Sequence, residues 1–208
     1  MAIERLTAWA VCGFARALTG ARAMWKGCAP VAETRVYYGN HSSHADFVLI
    51  WAALPVSLRV RTRPVAGADY WETSRLRRWL MHEVFRAVLI DRVPSNDRVD
   101  PVARMAHALE QDDSLILFPE GTRNTTDEIL LPFKSGVYHL ARACPDVHFV
   151  PVWIENLNRV MPKGEIVPIP LLCTITFGAP LRLRDGEAKD DFVGRLRESL
   201  LALCPPRA

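Results

Sequence analysis

Apolar and polar positions along this chain follow two rhythms that trade places every ten to twenty residues. From Leu6 to Trp25 the spacing is helical. At ~100° per residue, Arg5, Arg16, Arg22 and Lys26 share one arc, with Trp9, Phe14, Leu18, Met24 and Trp25 on the other side. Beyond Pro30 the pattern predicts a strand at Thr34 to Gly39 and an apolar helix at Phe47 to Leu54, stopped by Pro55. It then predicts a strand at Ser57 to Val65 and a helix at Asp69 to Phe85 carrying Trp71, Leu76, Trp79 and Leu80 on one side. Short apolar runs at Ala87 to Ile90 and Ser114 to Phe118 read as buried strands. Between them Asp100 caps a helix with Pro101 at its first position, running to Gln111. A helix at Ser135 to Cys144, strands at Val147 to Ile154 and Leu172 to Phe177, and an amphipathic helix at Glu187 to Leu203 follow.

Strands alternating with helices predict an α/β fold: one layered domain with a central mixed sheet flanked by helices. Length agrees, since 208 residues without a Gly/Ser- or Pro-rich linker are read as one domain over residues 31–208, preceded by an amphipathic helix within residues 1–30. A basic stripe opposite Trp, Phe and Leu suits a helix lying in a membrane interface; packing on its own domain is the other arrangement that fits. The longest nearly apolar run, Phe47 to Leu58, falls short of the ~20 residues of a spanning helix.

Composition narrows the classes. Half of the residues are apolar and 24% are charged, which excludes a disordered, collagenous or coiled-coil chain. A net charge of +3 is too small to imply nucleic acid. Five cysteines without a CxxC pair argue for reduced thiols rather than a disulfide framework or structural zinc. The histidines lack HExxH-type spacing, so no metal is expected.

Candidate chemistry gathers at strand ends. Asn40-His41-Ser42-Ser43-His44-Ala45-Asp46 lies between a strand and a helix, where sites sit in such folds. His41 is a natural general base, and a turn could fold the Asp46 carboxylate back onto its imidazole; a helix cap beside an ordinary turn histidine is the alternative. Phe118-Pro119-Glu120-Gly121-Thr122-Arg123 follows a buried strand and offers a carboxylate, a flexible backbone and a planar guanidinium fork. Ile90-Asp91-Arg92 ends another strand. Phe133-Lys134-Ser135-Gly136 opens a helix, where Lys134 and the exposed N–H groups could hold an anion. Val150-Pro151-Val152 places a proline inside a strand. GxSxG and Cys/His nucleophile signatures are both missing from the sequence, so the chemistry reads as direct transfer to a hydroxyl.

Taken together these motifs resemble the glycerolipid acyltransferase family, in its lysophosphatidic acid acyltransferase group. Residues 40–46 match the NHxSxxD block, Ala87 to Arg92 is similar to the second block, and Phe118 to Arg123 reads FPEGTR at every position. Val150-Pro151-Val152 is similar to the fourth. The resemblance implies that His41, held by Asp46, takes the proton of a glycerol hydroxyl, which attacks the thioester of acyl-CoA or acyl-carrier protein. It places Arg92, Glu120, Gly121 and Arg123 around the acceptor's phosphate, counts Thr122 and Lys134 among the substrate-binding residues, and gives Pro151 a part in shaping a channel. It implies no cofactor beyond the acyl donor, a lysophospholipid acceptor, phosphatidic acid as product, and a peripheral or monotopic place on the cytoplasmic face of a membrane. Other lysolipid or polyol acceptors, and thioester hydrolysis, are the alternatives. Arg59, Arg61 and Arg63 would share one face of the strand expected there.

Overall fold

A computed structural model describes residues 2–91, 100–155 and 173–205. The chain forms α1 (Ala2–Thr19), β1 (Arg22–Trp25), β2 (Arg35–Gly39), α2 (Asp46–Ala53), α3 (Val56–Arg59) and β3 (Thr62–Gly67). Next come α4 (Ala68–Trp71), α5 (Arg75–Trp79), a π-helical turn (Leu80–Val84), β4 (Val88–Ile90), α6 (Pro101–Glu110) and β5 (Ser114–Leu117). The described chain closes with α7 (Gly136–Ala143), β6 (His148–Ile154), β7 (Thr174–Phe177) and α8 (Lys189–Leu201). The strands make one mixed sheet in the order β1-β7-β6-β2-β5-β3-β4. Every neighbouring pair is parallel except β6 and β7.

Period-two burial divides the core between the two faces of the sheet. Tyr37, Ile116, Val150 and Val152 face a layer that includes α1 and α2. Val36, Tyr38, Leu115, Leu117 and Phe149 face α6, α7 and α8. The predicted cap is in place, with Asp100 accepting from the Val102 N–H at 3.0 Å and Pro101 at the first helical position.

Three predicted elements differ. The helix expected from Leu6 to Trp25 ends at Thr19, where Gly20 takes φ +54° and its N–H closes the helix on the Arg16 carbonyl. Arg22 to Trp25 then adds an edge strand along β7, so Arg22 and Lys26 leave the basic stripe. Trp25 instead stacks on Phe177, ring centroids 4.1 Å apart.

The strand expected at Ser57 to Val65 begins as a helical turn, because Pro55 starts α3. That turn swings the Arg59 guanidinium onto the carbonyls of Trp51, Ala52 and Leu54, the unsatisfied end of α2. The three arginines therefore do not share a face: Arg61 pairs with Asp112, and Arg63, in β3, with Asp113. The helix expected at Asp69 to Phe85 breaks into α4, α5 and the π-helical turn. Ser74 interrupts it by capping α5 through the Arg77 N–H.

Helix α1 turns two unlike faces outward and inward. Cys12, Ala15 and Thr19 are buried. Ile3, Leu6, Trp9 and Phe14 are exposed, Trp9 to 74%. Among the described residues no helix is long and apolar enough to cross a membrane.

Candidate active site

The parallel strands β2, β5, β3 and β4 bring their carboxyl ends to one edge of the sheet, and the candidate motifs follow those ends. β2 stops at Gly39. A Cβ there would come within 3.0 Å of the Val152 carbonyl and 3.2 Å of the Ile50 side chain. Gly39→Ala is therefore expected to cost about 1–3 kcal/mol by overpacking, read as a lower midpoint in urea unfolding. Asn40 anchors the loop next, donating to the Ile154 carbonyl at 3.0 Å and accepting its N–H at 2.8 Å.

Asp46 opens α2 and is fully buried. A helical side chain leans toward the helix N-terminus, so its carboxylate turns back into the loop. Oδ2 accepts the N–H groups of Ser42 at 2.6 Å and Ser43 at 2.8 Å and lies 2.9 Å from His41 Nδ1. With Oδ2 an acceptor, Nδ1 carries the proton and Nε2 is left as the basic nitrogen. Phe118 stacks on the imidazole at 4.3 Å and fixes its plane.

The loop after β5 ties itself to His41 from the other side. Glu120 is buried; Oε1 accepts the His41 N–H at 2.7 Å and Oε2 the Leu131 N–H at 2.9 Å. Both oxygens thus hold backbone, and Glu120 positions the histidine rather than facing a phosphate. Burial raises its pKa; the two N–H donors and His41 pull the other way and are outweighed. Gly121 turns the chain at φ +70°, where a Cβ would meet the Lys134 side chain at 3.1 Å. The Asn124 N–H reaches the His41 carbonyl at 2.6 Å.

His41, Gly121 and Lys134 line a cavity of about 410 Å³. Its walls are otherwise mainly apolar, with Phe47, Trp71, Ile90, Met105 and Leu117 among them. Such a site, a mainly apolar pocket whose wall includes a base and an ammonium, fits an amphiphile with an apolar chain and an anionic head.

Thr122 and Arg123 are exposed on the loop between Gly121 and Asn124 and are not part of the cavity wall. Arg92 lies outside the described residues. Pro151, expected to shape the channel, is buried in the sheet and does not line the cavity. Its carbonyl accepts the Gly178 N–H at 2.9 Å, and its Cγ packs where a Gly178 Cβ would be, 2.9 Å away. A strand residue points its N and O to the same side, so the missing N–H faces the break between Phe177 and Leu181 and removes no bond to β2.

The wall formed by His44, Tyr70 and Trp71 escapes sequence reading. His44 stacks on Tyr70 at 4.0 Å, and Arg77 covers that ring at 4.5 Å. The only hint in the sequence is a pair of aromatics just past a strand end.

A family model described as Acyltransferase matches residues 27–155. The chain is 30% identical to human 1-acyl-sn-glycerol-3-phosphate acyltransferase alpha over 180 residues, 84% of this chain and 60% of that protein. It is 30% identical to the Haemophilus influenzae 1-acyl-sn-glycerol-3-phosphate acyltransferase over 145 residues, 64% of this chain and 54% of that one. The chain thus spans about three fifths of these relatives or less. The fold is shared with the 1-acyl-sn-glycerophosphate acyltransferase PlsC of Thermotoga maritima, at a TM-score of 0.71 and 17% identity over 96% of this chain and 79% of that one.

Proposed function

The chain belongs to the acyltransferase family, within the lysophosphatidic acid acyltransferase group, and from that premise we propose that it moves a fatty acyl group from a thioester to the free hydroxyl of 1-acylglycerol-3-phosphate, giving phosphatidic acid. The observation that carries this is His41, paired with Asp46, in the wall of a mainly apolar cavity.

His41 Nε2 removes the hydroxyl proton as the oxygen attacks the thioester carbonyl. Asp46 stabilises the imidazolium that forms. The tetrahedral intermediate collapses with loss of the thiolate of coenzyme A or acyl-carrier protein. The thiolate takes the proton from His41, which returns to its starting state. Lys134 supplies the positive charge near the acceptor's phosphate, with Arg123 on the adjoining loop and Arg92 beyond β4 as further partners for it. The test is thiol release from a long-chain acyl thioester. It is expected to require added lysophosphatidic acid; release that ignores the lysolipid would indicate hydrolysis instead.

The substrates' long acyl chains favour a peripheral or monotopic attachment to a membrane through the exposed side of α1, on the cytoplasmic face that the family resemblance implies. Leu6→Asp or Phe14→Asp is expected to weaken flotation with neutral vesicles roughly ten- to 150-fold each, given ~1.5–3 kcal/mol per apolar side chain transferred. Both side chains are exposed, so the thermal midpoint is expected to stay unchanged.

A further inference from the structure

A second cavity, about 380 Å³, lies at the amino end of β3 and is not part of the site described above. Thr62 and Arg63 line it, whereas Val65, Ala66 and Gly67, at the other end of the same strand, line the cavity of His41. Its walls come from α1, α3 and the turn after the π-helical segment, and they are amphiphilic. Trp9, Val60 and Phe85 supply apolar surface. Arg5, Arg59, Arg63 and Arg86 supply guanidinium groups, against the carboxylates of Glu4 and Glu83.

Two of those arginines converge. Arg63 and Arg86 both lie 3.2 Å from Asp113 Oδ2, so one carboxylate answers two cations. Even with Asp113 counted beside Glu4 and Glu83, the four guanidiniums leave the groove net positive. Arg86 is also held at φ +50°, a conformation that a long side chain adopts only under constraint.

The mouth is continuous with the outward face of α1. Trp9 belongs to both, and Val56 and Val60 stand exposed beside it, at 67% and 60%. A lipid surface touching Leu6 and Trp9 therefore lies across the opening.

We propose that this groove takes one anionic phospholipid from that surface. Its phosphate sits against Arg63 and Arg86, and its glycerol and upper acyl carbons lie against Trp9, Val60 and Phe85. The inference rests on α1 docking to lipid, and it adds a bound lipid that is neither substrate nor product.

Two variants test it. Val60→Trp fills the groove and leaves every charge in place. Arg86→Asn removes one guanidinium, and asparagine tolerates the positive φ. Flotation is measured with phosphatidylcholine vesicles and with the same vesicles containing phosphatidylglycerol. Val60→Trp adds an aromatic at the lipid face and is expected to raise binding to the neutral vesicles, so the gain of each protein is read against its own neutral binding. The gain from phosphatidylglycerol is expected to fall about fivefold in Arg86→Asn, the effect of one arginine near a charged surface, and by a similar factor in Val60→Trp. Full gain in Val60→Trp overturns the proposal, because diffuse surface charge would then explain the attraction.

A titration with dioctanoyl-phosphatidylglycerol below its micelle concentration reads the groove even if α1 does not dock on vesicles. Saturable binding by wild type that is weakened in Val60→Trp supports the site. Equal binding by both proteins, or equal binding of dioctanoyl-phosphatidylcholine, refutes it. Thermal midpoints of both variants are compared with wild type, so that loss of fold is not read as loss of binding.

Discussion

His41→Ala is expected to abolish lysolipid-dependent thiol release, lowering kcat on the order of 10²- to 10⁴-fold, the usual contribution of a positioned general base. The substrate's KM should change little, since the imidazole is one small part of a cavity whose walls are mostly apolar. Asp46→Asn should lower kcat as well, through the lost charge beside the imidazolium rather than the loss of the ring. The amide keeps one oxygen, while the carboxylate oxygen Oδ2 now serves Ser42 N–H, Ser43 N–H and His41 Nδ1 together. Turned to that place the amide oxygen keeps all three contacts, but its NH₂ then fills the buried Oδ1 position, which has no hydrogen-bond partner, and the negative charge that steadies the imidazolium is gone. Steady-state thiol release and a pre-steady-state burst, measured for both variants, separate loss of chemistry from loss of binding. Full activity in His41→Ala would remove the histidine from the mechanism.

Glu120→Ala is expected to be the most destabilising single substitution near the site. It strips the acceptors from the His41 and Leu131 N–H groups, and each buried donor left unpaired costs about 1–3 kcal/mol. Relief from burying a charge offsets part of this. Activity should fall too, because the His41 backbone loses its tether. Glu120→Gln keeps the shape and one acceptor, so it should retain more of both. The raised pKa gives this carboxyl a pH signature. The unfolded chain ionises near 4.5 and the folded one only at higher pH, so between those values the folded state holds more protons. The group's contribution to stability is full below the unfolded value and is lost as pH rises through the folded value. Urea midpoints of wild type and Glu120→Gln should therefore draw together, or cross, as pH rises over that window. A constant gap would show that burial does not govern this carboxyl.

Much of the fold is legible because burial imposes a rhythm. Leu115 to Leu117 is apolar throughout since helices cover both faces of β5, and Asp100-Pro101 marks a helix start by its own chemistry. The misread stretches are those in which a rhythm continues across a break. Leu6 to Trp25 keeps helical spacing in its side chains, but Gly20 alone redirects the backbone into a strand that finds its partner at Thr174 to Phe177. Arg59, Arg61 and Arg63 alternate as a strand would, yet Arg59 is claimed by the carbonyl end of a helix that lies earlier in the chain. The site shows the same limit. His41 and Asp46 are local to one loop, so their pairing can be anticipated. Glu120 has the residue type of a ligand-facing group, but its direction is set by two backbone donors, one of them 79 residues away.

The pairing of β1 with β7 bears on how the protein is made. Among the described residues β1 pairs with no other strand, so its ladder waits on about 150 residues of further synthesis. At ~5–20 residues per second that is roughly 8 to 30 s after Trp25 has been added. Through that interval α1 has no completed edge strand beside it; α2 and the π-helical turn, on which its core face packs, are made within about 60 residues of Trp25, while its outward apolar face stays open to whatever the nascent chain meets first. A bilayer beside the ribosome would claim the helix before the sheet could, and the fold would then close against a helix already held at its lipid surface.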